Sequence, residues 1–85
     1  MNINKAQFKK LSEGEKAAKT LNHGKQISRR RNNNHHVNLY SLDDFMVEIW
    51  YNSTRNKIEK VEIIEDTSVI DKYIDAEINR KRSHE

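Results

Sequence analysis

Eighty-five residues allow one small domain, since a chain of this length buries only about 60% of the surface it exposes when unfolded. With no cysteine, no proline and two glycines, it has no disulfide framework, thiolate ligand, Gly-rich phosphate loop or flexible Gly/Ser linker. The formal charge of +3 conceals a division: nine Lys and Arg stand against Glu13 and Glu15 before Asp43, and seven against eleven Asp and Glu from there on. Such an asymmetry between halves points to a charged partner surface more than the net value does. Apolar runs reach only two or three residues, as at Phe45-Met46-Val47, which is too short for a membrane span or a secretory leader. The expectation is an uncrosslinked cytoplasmic chain.

Residues 1–36 form a basic segment with five of the nineteen Ile, Leu, Val and Phe, and the other fourteen lie in a core of residues 37–78. The first segment reads as helix in two pieces. Asn4 with Gln7 and Ser12 with Glu15 each have capping-box spacing. The second piece, Glu13 to His23, ends at Gly24, expected in the left-handed conformation. Its apolar face of Ala17, Ala18 and Leu21 is thin, so it needs a packing partner.

From Lys25 the pattern turns to strand. Residues 26–31 suit a short edge strand, and Asn32-Asn33-Asn34 a turn. Residues 37–42 and 45–51 flank a tight Asp43-Asp44 hairpin, a turn at 52–56 places Asn56 in the left-handed region, and residues 58–65 make the next strand. Asp66, Thr67 and Ser68 are candidate caps for a last, amphipathic helix carrying Val69, Ile70, Tyr73, Ile74 and Ile78 at 3.6-residue spacing, with a polar tail from Asn79. The class is therefore α+β: amino-terminal helix, three- to four-stranded antiparallel meander, carboxy-terminal helix, in one domain spanning residues 1–85.

A two-residue Asp43-Asp44 loop pairs Leu42 with Phe45, Tyr40 with Val47 and Asn38 with Ile49 on one face. That face, extended by Tyr51, is the expected bed for the last helix. The opposite face carries Val37, Leu39, Met46 and Trp50 around Glu48. Apolar character on both sides requires a second cover: the amino-terminal helices through Phe8, Leu11, Ala17 and Leu21, a second copy of the chain, or a foreign partner. The first ten residues are expected to matter little for stability.

The run VNLYSLDDFMVEIWY over residues 37–51, followed by NSTRNK and IEKVEII, resembles a family of small bacterial proteins. The resemblance rests on Leu39-Tyr40, Leu42, Phe45, Val47-Glu48 and Tyr51, and covers about half the chain. It implies an α+β fold and no established activity; Glu48 and Tyr40 match recurrent positions without a role to transfer.

No pattern of catalytic residues or cofactor motif is present, so the expected function is non-enzymatic binding with no cofactor. A protein partner, or a second copy of the chain, would use an edge strand or the face formed by Val37, Leu39, Met46, Glu48 and Trp50. The alternative is RNA or DNA backbone, or a ribonucleoprotein, bound by Lys25, Arg29, Arg30 and Arg31, because guanidinium groups bond phosphate oxygens in pairs. Strand alternation sends Arg29 and Arg31 to one side and Arg30 to the other. No aromatic residue interleaves with these arginines, so the sequence offers no stacking platform. His23, His35, His36 and His84 lack metal-ligand spacing, and no metal is expected. Glu48, on an otherwise apolar face, should be paired with Lys60 or with one of the arginines 29–31.

Overall fold

The computed structural model describes residues 3–82, with side-chain surroundings through Ile78. Its elements are α1 (Lys5–Lys9), α2 (Glu13–His23), β1 (Lys25–Asn32), β2 (His35–Leu42), β3 (Phe45–Asn52), β4 (Lys57–Ile63) and α3 (Val69–Arg82). The four strands lie in sequence order, each antiparallel to the next, so the class is α+β and the edge strand expected at residues 26–31 completes the sheet. The helix bonds of α3 carry on through the polar residues from Asn79 to Arg82. His84 lies outside the described residues.

Local chemistry sets the ends of these elements. Asn4 Oδ1 accepts from the Gln7 amide at 2.8 Å while Gln7 Oε1 accepts from the Asn4 amide at 3.1 Å, and Ser12 with Glu15 repeats the box at α2. Each box fills two of the amides that a helix start leaves without partners. Asn32 pairs with His35 and Leu42 with Phe45, which makes both hairpin loops two residues long. Asn33 and Asp43 take the left-handed conformation that these loops need, at φ 55° and 45°, and Asn56 takes it in the third turn at φ 56°.

Gly24 departs from expectation. It ends α2 in extended backbone, φ −79° and ψ 156°, not in the left-handed region. Glycine is required there by closeness: a Cβ would stand 2.6 Å from the Thr20 carbonyl oxygen and 3.4 Å from Tyr40 Cβ. The missing side chain lets the end of α2 lie directly on β2.

The two sheet faces are covered the other way round from the sequence-based assignment. Leu42, Phe45, Val47, Ile49 and Val61 form the main core with Phe8, and Leu11, Ala17, Tyr40 and Ile63 pack at its margin. Phe8 is fully buried, its ring edge-on to Phe45 at 5.4 Å between centroids. The amino-terminal helices therefore cover this face, and the first ten residues supply one of its largest buried side chains. Lys5 and Lys9 also reach Glu65, and the Ile3 amide donates to Asp43.

The last helix covers the face of Val37, Leu39 and Glu48, with Tyr73 as its buried anchor at 3% exposure. Its sheet-facing stripe runs through Val69, Ile70, Tyr73 and Ala76; Ile74 and Ile78 point away, 51% and 46% exposed. Placed on this face, Tyr73 adds its hydroxyl to the donors around the buried Glu48 carboxylate.

Candidate anion-binding cleft and its buried carboxylate

Glu48 is 2% exposed among apolar neighbours, a position a carboxylate tolerates only when its charge is met and its lone pairs are filled. Arg30 Nη2 and Nε donate to Oε2 at 3.1 and 3.4 Å, the Tyr73 hydroxyl donates to the same oxygen at 2.6 Å, and Trp50 Nε1 donates to Oε1 at 3.3 Å. Of the partners the sequence offers, Arg30 is the one used. It stands in register with Val37, faces inward, and reaches across β2 beneath α3. Its guanidinium carbon lies 5.1 Å from the Trp50 ring centroid and 5.4 Å from that of Tyr73. Burial, reinforced by the bond to Glu48, pushes the Tyr73 phenol well above its ordinary pKa.

This network removes several candidate contact residues from the surface. Val37, Leu39 and Glu48 lie under α3 of the same chain and cannot be touched by a partner while that helix is docked. Met46 and Trp50 remain half-exposed. Trp50 is itself occupied, with Lys60 Nζ 4.1 Å above its ring and His35 edge-on at 5.5 Å.

The basic cluster is likewise divided. Arg30, with a side chain 7% exposed, is held by Glu48 and has no freedom to bind phosphate. Lys25 pairs with Ser41 at the far end of β1, on the α3 side, about 13 Å of strand away from Arg29. A bulge between Gln26 and Ser28 intervenes. Arg29 and Arg31 project to the other face, both exposed.

Those two arginines open onto a cleft of about 790 Å³ at the β1 edge, lined by Arg29, Arg30, Arg31, His36, Asn38, Lys72, Asp75 and Ala76. Lys72 comes from α3, which runs against β1 and is tied to it by the Ser28 hydroxyl donating to Glu77 at 3.2 Å. Sequence reasoning missed Lys72, because only the docked position of α3 brings it to the arginines. Elsewhere Lys5, Lys9, Lys16, Arg30, Arg55 and Lys60 engage carboxylates, whereas Arg29, Arg31 and Lys72 have no ion-pair partner among the described residues. One carboxylate, Asp75, tempers the positive field of the cleft.

At the turn end of the sheet, Glu59 accepts from Asn52 Nδ2 at 3.0 Å and meets His35 Nε2 at 2.6 Å. The hydrogen bond from Asn52, then that from His35, holds its carboxyl below the usual range. Among the described residues no group of three or more His, Asp or Glu is placed to hold a metal ion, and no helix is long and apolar enough to cross a membrane.

Neither a family model, a curated protein nor a solved structure matches this chain, so the resemblance carried by residues 37–51 gains no support from these comparisons. The chemistry of the cleft has to be judged from its own residues.

Proposed function

We propose that this chain is a non-enzymatic binding protein for nucleic acid in the cytoplasm, gripping the phosphate backbone with Arg29, Arg31 and Lys72. One observation carries the reading: these three cations, free of carboxylate partners among the described residues, line one cleft beside His36 and Asn38. Arginine bonds phosphate oxygens in pairs and lysine adds a point charge, which is the usual chemistry of backbone recognition.

The test is the salt dependence of binding to a fluorescently labelled oligonucleotide. Three neutralised phosphates give a slope of log affinity against log salt of about −2 to −3. Replacing Arg29, Arg31 and Lys72 together by alanine should bring that slope toward zero while the circular dichroism spectrum stays native. Absence of binding at about 50 mM salt, where backbone contacts are strong, defeats the proposal.

A second reading, an adaptor that pairs a strand of another protein with β1, draws on the fact that β1 is an outer strand eight residues long that carries the exposed Ile27. It expects changes at Ile27 to abolish binding and the arginine changes to affect mainly the association rate.

A further inference from the structure

The strand register assembles a surface that the linear sequence disperses. Arg31, His36, Tyr51 and Ile58 stand side by side across the four strands on one face, and Arg29 with Asn38 begins the adjoining row. The amino-terminal helices cover that adjoining row only in part: Ile49 and Val61 are buried in it. Beyond their reach Arg31, His36 and Ile58 are exposed and Tyr51 is half-buried. The Tyr51 hydroxyl is bonded to Asn56 Oδ1, which fixes the ring in the open row.

The shape of this surface discriminates between nucleic acids. Four strands at about 4.8 Å spacing make a face about 14 Å wide before side chains are added, more than the roughly 12 Å of a duplex major groove. The face cannot follow a groove. It does present what an unpaired strand needs: flat rings for bases to stack on, and cations alongside for the backbone. Arg29 and Arg31, two residues apart on one strand face, repeat at about 6.6 Å, so they meet separate phosphates of an extended strand.

We infer that the ligand is single-stranded nucleic acid, its bases stacked on Tyr51 and His36 and its phosphates held by Arg29, Arg31 and Lys72. This rests on the nucleic-acid reading above, and the experiment separates the two. Fluorescence anisotropy is recorded with a labelled single strand of about 12 nucleotides, within the length a single small domain covers, and with a hairpin duplex of equal charge.

The single strand should bind at least about ten times more tightly than the duplex, given stacking of about 1–3 kcal/mol per base. His36→Ala and Tyr51→Leu should each weaken it about fivefold or more without changing the salt slope, while Arg29→Ala with Arg31→Ala should flatten that slope. His36 is exposed and has no hydrogen-bond or ion-pair partner among the described residues, so its variant reads out stacking even if Tyr51→Leu loosens the sheet. Equal affinity for both oligonucleotides with unchanged binding by the His36 and Tyr51 variants overturns the single-strand inference and leaves the phosphate reading standing. No binding of either oligonucleotide overturns both, and an acidic protein segment then becomes the partner of the same arginines.

Discussion

On the side of α1 and α2 the sheet offers Leu42, Phe45, Val47, Ile49 and Val61 to Phe8, and among the described residues no charged side chain is buried there. On the side of α3 it offers Glu48, surrounded by Arg30, Trp50 and Tyr73. The first arrangement is strong but indifferent to direction, because burial of apolar area does not depend on orientation. The second is directional: four donor groups from three side chains must reach two oxygens, which fixes where α3 lies along the sheet. The placement of Lys72 beside Arg29 and Arg31 therefore depends on the polar side, not on the larger apolar core.

The comparison is broken most severely by removing one key group from each side. Phe8→Ala should cost about 3–5 kcal/mol through the cavity it leaves, with Ile49→Ala close behind at about 2–5 kcal/mol. Arg30→Ala should cost a similar amount, about 3–5 kcal/mol, by a different route, since it strands the Glu48 charge. Urea unfolding measures all three, and the routes separate in the double variant: Arg30→Met with Glu48→Leu should recover most of the loss, because no buried charge remains. A loss below about 1 kcal/mol for Arg30→Ala would show that water reaches Glu48.

A smaller effect is expected at the bond that docks α3. Tyr73→Phe keeps the ring and removes a hydrogen bond to a charged acceptor, for about 1.5–3 kcal/mol. Its pH signature has a defined sign. The native phenol titrates above its unfolded value of about 10, so its contribution is complete below that pH and is lost as pH climbs toward the native value. Thermal melts of the wild type should fall in the alkaline range more steeply than those of Tyr73→Phe. Parallel curves would detach Tyr73 from the carboxylate.

The smallest expected change sharpens the apolar side. Ser12→Ala removes the α2 cap for about 1 kcal/mol. Its partner Glu15 is held below the usual carboxylate pKa, chiefly by the bond from the Ser12 amide. The Glu15 half of the box is therefore complete above the unfolded carboxylate range and is lost as pH falls through the lowered native value, while the bond to the Ser12 hydroxyl does not titrate. Far-ultraviolet circular dichroism below pH 4 should show helix loss in the wild type and little in Glu15→Gln, which can still accept from the Ser12 amide but does not titrate.

How far these features could be read from the chain depends on their range. Asn4 with Gln7, Ser12 with Glu15, Asp43-Asp44 and Asn56 are local signals, and each appears where it was expected. Which helix covers which face was not legible: both faces are apolar, and the deciding pairs are Phe8 with Phe45 and Tyr73 with Glu48, far apart in sequence. Alternation alone separates Arg30 from Arg29 and Arg31. Counting back from the Asp43-Asp44 loop would also have placed Tyr51 beside His36, because a two-residue loop fixes the pairs that follow it until a bulge intervenes. No aromatic interleaves with the arginines along the chain, because their ring-bearing neighbours lie across the sheet. Lys72 had no such signal.

The order β1-β2-β3-β4 also bears on how quickly the molecule can form. Every strand pairs with its neighbour in sequence, so the sheet can zip up from its turns without closing a long loop, a topology that favours rapid folding. The distant contacts belong to the helices, since Phe8 must find Phe45 and Tyr73 must find Glu48. The rate-limiting barrier should accordingly contain the central hairpin, with substitutions at Val47 slowing folding and those at Phe8 or Tyr73 mainly hastening unfolding. Stopped-flow chevrons of these three variants would assign the sequence of events, with the arginine cleft completed only as α3 comes to rest.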